Sequence, residues 1–259
     1  MVSGSPGHTP GHTPGAEASR KLLAVLMAFN EARPVRSVPE LAAEAGVPTS
    51  SAYRYVAVLR EVGLLDSAGG GGYRLTDRIV TLARAAEAAR ASLVDVAHPY
   101  LEALRDDVDE TVVLVRRGGR AVYCIDRAES TRPVRLQFDV GQAMPAHSGS
   151  ASRVLLAAAP KSERDAYVAE VLPGLPPNRQ ALLADHALDA VAAAGWTESY
   201  EEVDDGIWGV AAAVTREADV VAALGVAGPI YRIDASRRAR ICEATRDAAA
   251  QISAALAKR

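Results

Sequence analysis

Residues 37–74, SVPELAAEAGVPTSSAYRYVAVLREVGLLDSAGGGGYR, constrain the fold more than any other stretch of the chain. Ser37 stands where an N-cap belongs, and Glu40 follows three residues later, the spacing of a capping box. Pro39 is tolerated in the first turn, where its missing N–H had no helical partner. Leu41 and Ala45 share a face at i, i+4, and Ala42 is small enough for a second helix to cross closely. Gly46 supplies the positive φ that ends the helix near Ala45, and Val47 plugs the turn. Thr49 is the expected N-cap of a second helix reaching about Val62, with Ala52, Val56 and Leu59 facing the core at helical spacing. Gly63 stops it. Leu64-Leu65 and Tyr73-Arg74-Leu75 read as two short strands joined by residues 67–72, whose four glycines have no core to fill. Helix, tight turn, helix and glycine-tipped hairpin make a winged helix-turn-helix.

Such a fold places the N-terminal end of its second helix in a DNA major groove. Here that end carries Ser50, Ser51, Tyr53 and Arg54, mostly off the core face. Related outlines also serve as protein-binding adaptors, so charge matters. Net charge is −3, which excludes a chain that is basic throughout. From Ser19 to Arg78 there are eight Lys/Arg against six Asp/Glu, leaving an excess of +2 in this region on an acidic remainder. That distribution fits DNA binding confined to one end.

Two cysteines, Cys124 and Cys242, support neither a disulfide framework nor a zinc finger. No signal-peptide pattern and no apolar run of the ~20 residues needed for a membrane span is present, so a cytoplasmic protein without membrane contact is expected. Residues 1–18 are rich in Gly, Pro, Ser, Thr and His and read as a disordered tail. His8 and His12 in it lack a helix to align them for a metal. A helix follows from about Glu17 to Asn30 with Leu22, Leu23, Leu26 and Phe29 inward. Residues 19–75 form the winged domain and 76–91 a linker helix. Its narrow apolar stripe of Ile79, Leu82, Ala83 and Ala86 invites packing on a second copy.

Residues 92–259 read as a second domain. Val94 to Asp107 is helical. Glu110 to Arg116, Ala121 to Asp126 and Val134 to Phe138 read as strands, with a hairpin turn at residues 117–120. Helices are expected at Ser150 to Ala159, Lys161 to Leu172 and Arg179 to Ala194. Strands at Ile207 to Val214 and Val220 to Ala227 precede a last helix from Ala235 to Ala257. Strands grouped around helices give an α+β domain with an antiparallel sheet.

Four segments, VPTSSAYRYVAVLREVGLL, YRLTDRIVTLA, GQAMPAHSGSASRVLLAAAP and GIWGVAAAVTREADVVAALGVAGP, occur in the order and spacing of one family. Through them the chain resembles the IclR family of bacterial transcription regulators over nearly all residues after 18. The resemblance implies a winged helix-turn-helix, a linker helix and a GAF-like effector-binding domain. It implies homodimers and often homotetramers, double-stranded DNA with a pseudo-palindromic operator, and a small-molecule effector, commonly an organic acid or aromatic metabolite. No cofactor, metal or catalytic residue is implied.

Carried over by position, the candidate DNA-contacting residues are Ser37, Thr49, Ser50, Ser51, Tyr53, Arg54, Arg60 and Arg74. Thr49 stands where the family often has Lys. Losing that cation predicts a salt dependence weaker by about 0.9 in the slope of log affinity against log salt. The candidate effector-binding residues begin with Met144, His147, Ser148, Gly149, Ser150, Ala151 and Ser152. Small residues leading into a helix N-terminus let backbone N–H groups approach a carboxylate; a plain Ser148 or Ser150 cap is the alternative. Gly209 replaces a frequent Cys, Gly225 and Ala227 replace frequent serines, and Ser199 falls near a polar Asp of some family pockets. Trp208, Leu136 and Phe138 are expected to add apolar walls. These departures predict a roomier, less polar pocket.

A hydrolase is the rival class. His147 beside Ser148, with Asp139 and Asp185 in reserve, mimics a triad in composition, but adjacent His and Ser side chains rarely align and no G-x-S-x-G elbow exists. Cys124 reads as a buried structural thiol with Asp126 on the same strand face. His98 and His186 have no partner visible in the sequence. The four acids Glu201, Glu202, Asp204 and Asp205 read as a solvated loop.

Overall fold

A computed structural model describes residues 15–258, with residues 87–92 described by their backbone alone. The expected tail, residues 1–18, lies mostly outside the described residues, as do His8 and His12; its last two residues belong to the first helix.

The N-terminal unit comprises α1 (Glu17–Met27), β1 (Val35–Ser37), α2 (Val38–Glu44), α3 (Thr49–Glu61), β2 (Leu65–Gly69) and β3 (Gly72–Leu75). Its core is built from Val25, Leu41, Ala42, Ala52, Val56, Leu59 and Leu65. Ala52, Val56 and Leu59 point inward as their spacing demands. In α1 the inward stripe is Leu22, Val25 and Leu26, and Phe29 just past its end packs on the same core. Leu23, expected inside, is 51% exposed, because one residue off an i, i+3, i+4, i+7 stripe is turned by ~100°. β1 was not legible: three residues carry no alternation, and the strand exists because β3 pairs with it. The strands lie in the order β1-β3-β2, all antiparallel. The wing turn is tighter than the expected loop, since β2 and β3 extend to Gly69 and Gly72 and leave only Gly70-Gly71 at the tip, with φ +58° and +77°. Two successive positive φ values match the right-handed twist of a two-residue hairpin and admit glycine most readily.

Contacts divide the chain into two compact units that meet between Arg90 and Ala91. The helix α4 (Arg78–Val108) is continuous through this point. The expected two helices are thus one: no glycine occurs in it, and Pro99 is accommodated inside at the loss of one backbone hydrogen bond. Thr76, expected as helical, sits ahead of it, its hydroxyl donating to Gly63 O at 2.6 Å and accepting from Arg78 N–H at 3.3 Å.

The C-terminal unit is α+β. A six-stranded antiparallel sheet runs β6-β5-β4-β9-β8-β7. Its strands are β4 (Thr111–Gly118), β5 (Ala121–Ala128), β6 (Ala143–Pro145), β7 (Trp196–Tyr200), β8 (Ile207–Arg216) and β9 (Asp219–Pro229). The helices are α5 (Ser150–Ala157), α6 (Lys161–Val171), α7 (Pro177–Leu182), α8 (Asp185–Ala194) and α9 (Ala235–Leu256). Side-chain alternation splits the apolar residues between two layers. Val112, Leu114, Trp208, Val210 and Leu224 face α9 and the C-terminal part of α4. Val113, Val115, Ala211 and Ala223 face α5 and α8.

Three expectations fail here. Residues 134–138 form no strand. Their carbonyls are satisfied by side chains instead of a ladder: Val134 O accepts from Arg232 Nη1 at 2.8 Å, Leu136 O from the Thr111 hydroxyl at 2.8 Å, and Phe138 O from Arg127. The helix expected over Arg179 to Ala194 is broken at Leu183-Ala184 into α7 and α8. β6 and β7, short edge strands, were missed. Among the described residues no helix is long and apolar enough to cross a membrane.

Candidate functional site

On the N-terminal unit α3 exposes Thr49, Ser50, Tyr53, Arg54 and Arg60, with Ser51 half-buried. Thr49 is not the N-cap. That position is Pro48, whose carbonyl accepts from Ser51 N–H at 2.9 Å and Ala52 N–H at 3.0 Å, and no side chain caps the helix. The N–H groups of Thr49 and Ser50, ahead of those two, are therefore left for an outside acceptor, the arrangement that receives a phosphate. Arg60 lies over the Tyr73 ring at 5.8 Å, which ties the helix to the wing strand that carries exposed Arg74. Ser37 is committed to α2: its N–H and hydroxyl both donate to Glu40, at 2.8 and 2.7 Å. Arg36 beside it is buried at 3% exposure against Glu44, a structural ion pair the sequence did not announce.

The C-terminal unit encloses a cavity of about 310 Å³. Val113 and Val115 of β4 form its floor with Gly225 and Ala227 of β9 and Gly209 of β8. Leu136, Phe138 and Met144 close one side, Ser148, Gly149, Ser150, Ala151 and Ser152 another, and Ser199 of β7 with Val203 and Ile207 the rest. The space exists because side chains are missing. A Cβ on Gly209 would meet Ser199 Oγ at 3.0 Å and Ser150 Oγ at 3.3 Å. One on Gly225 would make ordinary contact with Ala151 and Val113 at 3.4 Å and then extend into the cavity. Gly149, at φ +86°, precedes α5 and turns the loop into it.

The α5 N-terminus is not vacant. Glu202 accepts from Gly149 N–H at 3.0 Å and holds Arg153 with both oxygens, at 3.0 Å to Nε and 2.7 Å to Nη2. Arg153 also donates to Glu198 O, and the Ser148 hydroxyl donates to Glu202 O. The two side chains are 5% and 4% exposed. Glu202 is therefore a buried partner and no member of a solvated acidic loop. Arg153 and Glu202 were missed because they lie far apart in sequence and meet only when β7 brings the loop after it over α5.

Two expected lining residues lie elsewhere. Trp208 is fully buried on the opposite face of the sheet and donates to Glu198 Oε2 at 2.9 Å. Strand alternation forbids it from sharing a face with Gly209. His147 points its Nδ1 to Tyr167 Oη at 2.8 Å, outside the cavity lining, and burial lowers its pKa. No triad assembles from the suspected residues: Asp139 pairs with Arg127 at 3.0 Å and Asp185 with Lys161 at 3.4 Å. His98 has a partner the sequence concealed, Asp126 at 2.9 Å. Cys124 is buried and its thiol is pushed up to about 11, chiefly by desolvation. Among the described residues no cluster of three His, Cys, Asp or Glu could hold a metal.

A winged helix-turn-helix with an open recognition helix, on a chain whose second unit encloses a ligand-sized cavity, defines a ligand-responsive transcriptional regulator. Residues 85–254 match the bacterial transcriptional regulator IclR C-terminal domain, and residues 20–69 match the IclR helix-turn-helix domain. The transcriptional regulator KipR of Bacillus subtilis is 30% identical over 239 residues, covering 90% of this chain and 94% of its own. An IclR family regulator from Brucella abortus shares the fold at a TM-score of 0.76, with 23% identity and coverage of 97% and 100%. An IclR homologue from Microbacterium hydrocarbonoxydans, solved in complex with 4-hydroxybenzoate, is 26% identical at a TM-score of 0.70, covering 94% and 100%. The chain belongs to the IclR family of transcriptional regulators, with a DNA-binding helix-turn-helix domain and an effector-binding C-terminal domain, and not to an enzyme family.

Proposed function

We propose that this regulator binds a pseudo-palindromic operator through α3 and the wing, and that a small aromatic-sized molecule in the 310 Å³ cavity changes that affinity. The cavity carries the reading. Its floor of glycine, alanine and valine leaves room where a packed core would have none, and its volume matches a single ring with substituents. The homologue that holds 4-hydroxybenzoate supports a ligand of that size. Thr49, Ser50, Ser51, Tyr53, Arg54, Arg60 and Arg74 are the proposed DNA contacts.

The proposed assembly is a dimer, and in the effector domain a tetramer, in the cytoplasm. Leu82 is 56% exposed on the single chain, and Ala83 and Ala86 beside it are exposed too, an apolar stripe suited to a second copy. Dimeric recognition puts half-sites about one helical turn, or a multiple, apart. Residues 19–75, 76–91 and 92–259 serve in this scheme as reader, linker and sensor.

The test is a gel shift on DNA upstream of the regulator's own gene, with and without single-ring aromatic ligands. Gly225→Leu fills the cavity from its floor and should abolish the ligand response while leaving ligand-free DNA binding intact. A full response in that variant would place the effector elsewhere.

A further inference from the structure

An anionic effector needs a compensating positive charge, and the cavity has none to spare. Two groups nearby suit a carboxylate: Arg153, which Glu202 holds with both oxygens, and the α5 N-terminus, where Glu202 takes the Gly149 N–H and sets its own negative charge against the positive end of the helix. The pair is sealed from solvent at 5% and 4% exposure, and its net charge is zero. A ligand carboxylate taking that place would evict Glu202 from Arg153, and an unpaired buried carboxylate is strongly disfavoured; the other cation nearby, Arg179, is already engaged with Glu201 O. Among the described residues lining the cavity there is no Lys, Arg or His, while exposed Asp204 adds a further negative charge. What remains polar is neutral: Gln137, Gln142, Ser148, Ser150, Ser152 and Ser199. The other walls are apolar.

We propose that the effector is an uncharged, largely apolar molecule carrying an amide or hydroxyl group, and that Glu202 makes the cavity refuse carboxylates. This rests on the cavity being the effector site. Glu202 is an internal substitute for the anion that a helix N-terminus attracts. The neutral side chains of Gln137, Gln142, Ser150 and Ser199 then serve a single polar substituent, donating or accepting as required.

Calorimetry on the full chain at pH 7.5 tests this with matched pairs: benzamide against benzoate, and 4-methylbenzamide against 4-methylbenzoate. Within each pair shape is nearly constant and charge is not. The amide is expected to bind at least tenfold more tightly. Equal or tighter binding of the carboxylate overturns the proposal, and so does the absence of binding by both amides. Glu202→Gln frees Arg153 and should narrow or reverse the preference, a change that mere loosening of the loop would not produce. The wild-type comparison stands by itself if that variant fails to fold. Gly225→Leu separates the two readings: amide binding that survives in it sinks the cavity as the site, whereas amide binding lost there together with a carboxylate preference in the wild type sinks only the charge argument.

Discussion

Glu110 offers the most direct probe of what holds the effector domain together. Its side chain is buried and takes Arg232 through two parallel bonds, 2.8 Å from Nε and 2.5 Å from Nη2, and Arg237 at 3.1 Å. The same arginines reach Val134 O and Val108 O, both at 2.8 Å, so one carboxylate joins the end of α4, the start of β4, residues 134–138 and the start of α9. Glu110→Ala strands two guanidinium groups whose side chains are only 11% and 22% exposed. Breaking such a buried pair costs about 3–5 kcal/mol. With a urea dependence of about 2 kcal/mol per molar, the midpoint should fall by about 1.5–2.5 M. The chain's two tryptophans, Trp196 and Trp208, both lie in this domain, so tryptophan emission follows its unfolding alone. Gly228 supplies a cross-check. A Cβ there would lie 2.6 Å from Glu110 Oε2, so Gly228→Ala should also destabilise. In the double variant the obstructing carboxylate is gone, and the two costs should sum to less than their separate values. A midpoint shift below about 0.5 M, or full additivity, would refute the reasoning.

Thr49→Lys should add a phosphate contact at the head of α3 and steepen the salt slope of operator binding by about 0.9, read from anisotropy titrations. With both thiols buried and raised to about 11, Cys124 and Cys242 should resist alkylation at pH 8 in the native protein and react fully in urea. Asp234 caps α9, accepting Arg237 N–H at 2.8 Å, and this bond with the Ser236 hydroxyl holds its carboxyl below the ordinary 3.8. A depressed folded value gives stability that is present above the unfolded pKa and lost as pH falls through the folded one. Asp234→Asn should therefore lower stability near neutrality and flatten the acid limb below about pH 4, measured by thermal melts across pH.

Local chemistry carried the N-terminal unit. Gly46, Gly63 and the spacing of Ala52, Val56 and Leu59 each act within a few residues, so the order of chain breaks and apolar faces was visible in one dimension. The sheet was less legible. Residues 134–138 have strand composition, yet the partners of their carbonyls sit on β4, β5 and the turn after β9, which no local pattern reveals. The cavity divides in the same way. Gly209, Gly225 and the small residues at 148–152 announced missing volume. Trp208 was misplaced by ignoring the two-residue period that separates it from Gly209. Glu202 was misread because a buried acid and a solvated acid look alike until the arginine that faces it is known.

The floor of the cavity also bears on how such a sensor changes its chemistry over generations. A site hollowed out by absent side chains can be retuned by restoring them one carbon at a time. Gly225 can accept a methyl at ordinary contact distance and shrink the chamber with little disturbance, whereas at Gly209 the same addition presses on Ser199 Oγ and requires that neighbour to yield. One position is an independent dial and the other a coupled one. Descendants of this chain could thus drift toward smaller effectors through single codon changes at 225, but through paired changes at 209 and 199, with the sheet and the DNA-reading end left untouched.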